Sequence, residues 1–349
     1  MSMPRIAVGT ENDVAIEIHY EDHGSGQPVV LIHGYPLNGN SWERQERELL
    51  ASGHRVISYD RRGFGRSSQP TVGYDYDTFA ADLNVLLEHL DLTDVVLVGF
   101  SMGTGEVTRY LGTYGSKRVR NAALLGTIPP FLKTADNPEG VDGQVFEGIK
   151  AAIVKDRYAF FEDFLNNFYN VDVLGGSRIS DRAWQASFNV AAGASPYASY
   201  ACVDSWLTDF RGDLPKIDVP VLVMHGTEDR ILPFDSTAAR LPALIADCTL
   251  VPVEGGPAQH RLDAPGRSEQ RSPRVHRREG DGGGVTAYES PSATSPNASL
   301  QQFRSVDGLP FRRRCNVVPD ARFGQLGGGV VSLVSCASTS KSAAMSRCS

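Results

Sequence analysis

Short, continuously apolar runs alternate along this chain with stretches whose apolar positions recur every three or four residues. Residues 29–33, 55–60, 94–99, 119–126, 219–225 and 249–253 have the length and branched-chain content of strands buried on both faces. Residues 76–90 and 102–114 carry helical spacing between those runs. Residues 14–20 alternate singly, as in an antiparallel strand covered on one face, with 22–27 as its turn. Strands alternating with helices predict an α/β fold, a mostly parallel sheet covered on both faces.

The longest break in that alternation, residues 129 to about 215, is too long for a structureless loop. Its amphipathic patterns at 143–154, 157–170, 181–192 and 197–208 predict a helical cap. Phe131, Phe160, Phe161, Phe164, Phe168, Trp184 and Trp206 could line a pocket between cap and sheet, although at helical spacing such residues more commonly serve as core.

Charge divides the 349-residue chain near residue 257. Residues 1–256 hold 21 Lys and Arg against 34 Asp and Glu, a net −13, while residues 257–349 hold 13 against 7, a net +6. The second segment is Arg-, Gly- and Ser-rich without periodic apolar faces, so 1–257 is expected to be the folded domain and 258–349 a disordered tail. Arg312–Arg314 is too short a basic run to indicate a nucleic-acid partner, and the acidic domain argues against one. No run approaches the roughly 18 apolar residues of a membrane helix, and residues 1–10 show no secretory apolar core. A soluble cytoplasmic protein is expected, with homo-oligomerisation left open. Cys202 and Cys248 in the domain, and Cys315, Cys336 and Cys348 beyond it, form neither a disulfide framework nor a zinc spacing.

Gly99-Phe100-Ser101-Met102-Gly103 follows an apolar strand and opens a helix, which puts Ser101 on a strand-to-helix turn. Small residues are needed on both sides because the neighbouring elements leave no room for a Cβ. The strand at 29–33 ends in His33-Gly34-Tyr35-Pro36, where the backbone can turn its amides toward a reacting oxygen, so Tyr35 and Met102 N–H are the expected oxyanion pair. The strand at 219–225 ends near Glu228 and Asp229; Asp229 is the candidate acid and Glu228 a surface residue. Serine, acid, histidine is then the order along the chain.

HGYP (33–36), DRRGFGRSS (60–68), GFSMGTGEVTRY (99–110) and VLVMHGTEDRILP (221–233) together resemble the cofactor-free, non-haem haloperoxidases of the α/β-hydrolase superfamily, over about residues 5–257. The resemblance implies a Ser-Asp-His esterase acting on small acyl substrates through an acyl-enzyme, with hydrogen peroxide as a second acceptor that yields a peracid. The peracid oxidises halide without haem or metal. By the same resemblance Pro36 fits a perhydrolytic variant. A dehalogenase or epoxide hydrolase of this fold would carry Asp in place of Ser101.

One position departs from that pattern. The resemblance implies a base histidine directly after Gly255-Gly256-Pro257, where this chain has Ala258; His260, two residues on, is the default substitute. Residues 258–270 can be back-translated so that removing one G gives HNIAWTHPDEVN, which restores Pro-His. A single-nucleotide frameshift near Pro257 would explain both the missing base and the unusual tail. The alternatives are a plain carboxylesterase, or a scaffold impaired by loss of its base.

Overall fold

The computed structural model describes residues 4–132 and 140–258, together with the backbone of residues 316–317. Its strands are β1 (Arg5–Glu11), β2 (Val14–Gly24), β3 (Pro28–Ile32), β4 (Arg55–Tyr59), β5 (Val95–Phe100), β6 (Val119–Leu125), β7 (Val221–Gly226), β8 (Cys248–Val253) and the two-residue β9 (Asn316–Val317). They form one sheet in the order β1-β2-β4-β3-β5-β6-β7-β8-β9. β1 and β2 run antiparallel to their neighbours and the remaining pairs are parallel. β5 and β7 are buried along their whole length, as strands covered on both faces must be.

Helices α1 (Glu43–Ala51), α2 (Tyr76–His89) and α3 (Met102–Tyr114) fill the crossovers between the early strands. Between β6 and β7 the chain makes α4 (Gly143–Lys155), α5 (Arg157–Phe168), α6 (Val171–Leu174), α7 (Asp181–Ala192) and α8 (Pro196–Ser205). Side-chain caps fix several starts: Asp75 accepts from Thr78 N–H, Asp156 from Tyr158 and Ala159, and Ser180 from Ala183. The cap is bonded to the carboxyl edge of the sheet, Ser195 N–H donating to Gly63 O at 2.8 Å and Asn170 Nδ2 to Glu228 O at 3.0 Å. No described helix is long and apolar enough to cross a membrane.

The α/β architecture and the inserted helices agree with the sequence reading, while some boundaries differ. β2 continues to Gly24 because Tyr20–Gly24 pair with β4, and Asp22 meets Arg55 at 2.7 Å across the pair. The turn expected over 22–27 therefore starts later. β1 and α1 are additional elements: β1 is a half-exposed edge strand, and α1 is so polar that Leu49 is its one buried residue. α8 stops at Ser205 rather than 208, with Trp206 at its C-cap. The reading of 258–349 as a disordered tail falls outside the described residues, except that Ala258 is buried and Asn316–Val317 pairs with β8.

Candidate active site

Ser101 sits between β5 and α3 with φ +51° and ψ −117°, a left-handed conformation that a side chain rarely adopts. Packing around the elbow enforces it. A Cβ at Gly99 would run into the Gly103 carbonyl, and one at Gly103 into the Ile32 carbonyl of β3. Those two glycines let β3, β5 and α3 close on the serine, which is 8% exposed. Ser101 N–H donates to Leu125 O at 2.8 Å, and Thr104 N–H to Ser101 O at 2.8 Å. The turn is held on both sides.

Gly34, just past β3, lies directly against this elbow, since a Cβ there would come 2.9 Å from Ser101 Cβ. The Gly34 carbonyl accepts from Leu37 N–H at 3.0 Å and from His33 Nδ1 at 2.9 Å. The next amide, Tyr35 N–H, belongs to the same peptide unit, and in a trans peptide it points opposite to that carbonyl. Neither it nor the first amide of α3, Met102 N–H, has a partner among the described residues. They are the two amides the sequence nominates. The Tyr35 side chain runs the other way, into the cap: its hydroxyl donates to Ser199 O at 3.0 Å, and its ring meets Trp206, Phe164 and Phe161.

Asp229 lies at the end of β7, two strands from Ser101 with β6 between, about 10 Å in sheet spacing. It is buried and its neighbour Glu228 is exposed. Its Oδ1 accepts from Ile231 and Leu232 N–H at 2.8 Å each. Oδ2 stands 3.1 Å from His225 Nε2. The His225 tautomer is set by its other nitrogen: Nδ1 accepts from Thr127 N–H at 3.0 Å, so Nε2 carries the proton, and it donates to Leu232 O at 2.8 Å. Oδ2 is therefore a buried acceptor with no hydrogen-bond partner among the described residues.

Ala258 is 3% exposed, and its carbonyl oxygen would lie 3.1 Å from a Cβ on Gly126, at the edge between Ser101 and Asp229. His260 lies outside the described residues. Among the cap aromatics, Phe131, Phe161, Phe164, Phe168 and Trp206 are buried, while Phe160 and Trp184 are partly so. Phe168 packs on Phe100, the residue before Ser101. No group of three His, Cys, Asp or Glu is arranged to hold a metal ion among the described residues.

As strand-end histidines, His33 and His225 bond to nearby backbone, His33 to Gly34 O and Arg61 N–H and His225 to Thr127 N–H and Leu232 O. His33 thereby fastens the Gly34 carbonyl, and His225 lies 3.1 Å from Asp229 Oδ2 without bonding it. Their signal lay in position, each ending a parallel strand that borders the site.

A family model described as alpha/beta hydrolase fold matches residues 27–260. A Synechocystis sp. protein carrying a non-heme chloroperoxidase name is 65% identical over 256 residues, covering 73% of this chain and 93% of its own length. The bifunctional esterase/perhydrolase DCH of Acinetobacter calcoaceticus is 33% identical over 249 residues, 69% of this chain and 89% of its own length. A crystal structure of bromoperoxidase from Bacillus anthracis superposes with a TM-score of 0.71 at 44% identity, covering 74% of this chain and 93% of that one. With the strained serine, the parallel sheet and the cap already in view, these similarities establish that the chain belongs to the α/β-hydrolase fold family, among its non-haem haloperoxidases.

Proposed function

We propose that this chain is a serine esterase that also transfers acyl groups to hydrogen peroxide. The observation that carries the reading is Ser101 held at φ +51° beside two amides with no partner among the described residues, on the same sheet edge as the buried Asp229. Ser101 Oγ attacks the ester carbonyl as its proton passes to an imidazole, and Tyr35 and Met102 N–H receive the developing oxyanion. The bond to the alcohol breaks, and the alcohol leaves with that proton. Water attacking the acyl-enzyme releases a carboxylic acid and restores Ser101; hydrogen peroxide in its place releases a peracid. The peracid gives an oxygen atom to halide in solution and returns to the carboxylic acid. The Acinetobacter relative, named as an esterase and a perhydrolase, supports both acceptors.

His260 is the residue we give the base role, with Asp229 orienting it. A second reading, a scaffold impaired by loss of its base, is favoured by Ala258 occupying the expected position. A frameshift near Pro257 accounts for that alanine, and sequencing the encoding DNA through this point tests it: an uninterrupted frame with unrelated codons removes the idea.

Fluorophosphonate labelling of the full chain separates the readings. Labelling should disappear in Ser101→Ala and fall about 100-fold or more in His260→Ala. A rate unchanged in His260→Ala but raised in Ala258→His supports the impaired scaffold. Labelling that survives Ser101→Ala overturns the function altogether.

A further inference from the structure

An ion pair is buried behind the oxyanion loop, where no step of the proposed chemistry uses it. Arg61, at the exit of β4, and Glu106, in the second turn of α3, meet at 2.7 Å with side chains 1% and 0% exposed. Arg61 Nε donates to Glu106 Oε2 at 2.8 Å, and the Tyr59 hydroxyl donates to Oε1. A pair this deep is weak evidence for stability, because desolvation offsets most of its attraction. Its geometry is informative in another way.

Arg61 grips His33 twice. Its guanidinium Nη2 donates to His33 O at 3.0 Å, and its backbone N–H donates to His33 Nε2 at 3.0 Å. A backbone N–H can only donate, so Nε2 must be the bare nitrogen and Nδ1 the protonated one. Nδ1–H is the group bonded to the Gly34 carbonyl, and that bond fixes the direction of Tyr35 N–H through the rigid peptide. Burial, and then the Arg61 charge, hold the imidazole well below its ordinary range, which keeps this tautomer uncharged. The chain of contacts thus starts five residues after Ser101 on the helix that Ser101 opens, and ends on the Tyr35 amide, next to the Gly34 that packs against Ser101.

We propose that the buried Arg61–Glu106 pair, acting through His33, positions the Tyr35 amide, so that the nucleophile's own helix sets the second half of the oxyanion hole. Arg61, Glu106 and His33 are positioning residues, and none touches the reacting atoms. The inference rests on the proposed function for its catalytic meaning and on geometry alone for its structural content.

The test uses the full chain, 15N-labelled, with His33→Leu, His33→Asn and Glu106→Gln. Leu removes the donor to Gly34, Asn replaces it at the position of Nδ1, and Gln removes the charge that holds Arg61. The Tyr35 amide resonance should shift in His33→Leu and Glu106→Gln, with Met102 nearly unmoved, and return toward its native position in His33→Asn. Wherever Ser101-dependent hydrolysis of 4-nitrophenyl acetate is measurable, in the native chain or in Ala258→His, kcat should fall about 10- to 100-fold in His33→Leu, with KM within about twofold and recovery in His33→Asn. A Tyr35 resonance unmoved in His33→Leu overturns the proposal, as does an equal kcat in folded His33→Leu and His33→Asn. The His33 pair carries the test should Glu106→Gln not fold. A Tyr35 amide that responds in a chain with no Ser101-dependent turnover upholds the positioning and rejects the function.

Discussion

The two ends of the site are built differently. Around β3 and β5, each group that must be oriented is fastened from behind: Ser101 by two close-packed glycines, the Gly34 carbonyl by His33 and Leu37, and His33 by Arg61. At β7 and β8 the Asp229 carboxylate is fastened through two amides to Oδ1, while Oδ2, 3.1 Å from His225 Nε2, accepts no hydrogen bond among the described residues. In the proposed function the groups assigned to the nucleophile and the oxyanion come from local chain, and the imidazole assigned as base comes from after β8. A catalytic constellation split this way is vulnerable at one point. On that reading, a change confined to the segment after Pro257 would remove proton transfer and leave the strained serine in place.

Variants at each end sharpen that contrast. The largest effect is expected at the nucleophile, where Ser101→Ala should lower esterase turnover by at least ~10^4-fold in any background that shows it. Measuring 4-nitrophenyl acetate hydrolysis checks this. At the other end, Asp229→Asn should slow Ala258→His about 10^3-fold and the native chain by less, because the acid matters only as far as an imidazole engages it. Equal ratios in the two backgrounds would mean that the native chain already has a fully engaged base.

A stability effect comes next. Gly103→Ala forces a Cβ into the Ile32 carbonyl and should cost about 3 kcal/mol, read from the midpoint of urea unfolding at constant slope. A change such as Gly148→Ala, where a Cβ meets nothing, should not destabilise the chain.

The smallest effect concerns pH. His33 stays uncharged in the folded chain well below 6.5, whereas the unfolded chain takes up a proton there, so folding stability should fall as pH drops through the region below 6.5, by at most about 1.4 kcal/mol per pH unit. Asp82, paired with Arg62 at 2.7 Å, is pushed up to about 6 by burial and acts oppositely, lowering stability as pH rises from about 4 to 6. The difference between native and His33→Asn isolates the histidine. That difference should narrow toward acid pH; a constant gap from pH 7 to 5 would contradict a neutral buried His33.

Much of the fold was legible because parallel strands and elbows impose compositions that few other structures share. The Gly99 and Gly103 spacing and the apolar strands follow from what must be buried, and Asp229 is buried where Glu228 is exposed. α1 and β1 escaped because they bury little, so their sequences carry weak periodicity. The Arg61–Glu106–His33 chain escaped for a different reason. Its members lie on three separate elements, and nothing in one sequence marks a charged residue as buried against another far along the chain. The base stayed open because Ala258 breaks the pattern and His260 lies beyond the described residues.

In the proposed function the strained hydroxyl at the end of β5 takes the acyl group. Brief mixing of the full chain with 4-nitrophenyl acetate, followed by acid quench and peptide mass mapping, reads this directly. The account predicts an acetyl group on the peptide containing Ser101, in the native chain or in Ala258→His, and none in Ser101→Ala. Acetylation at another residue with Ser101 unmodified, or an acyl-enzyme that forms equally in Ser101→Ala, would contradict it.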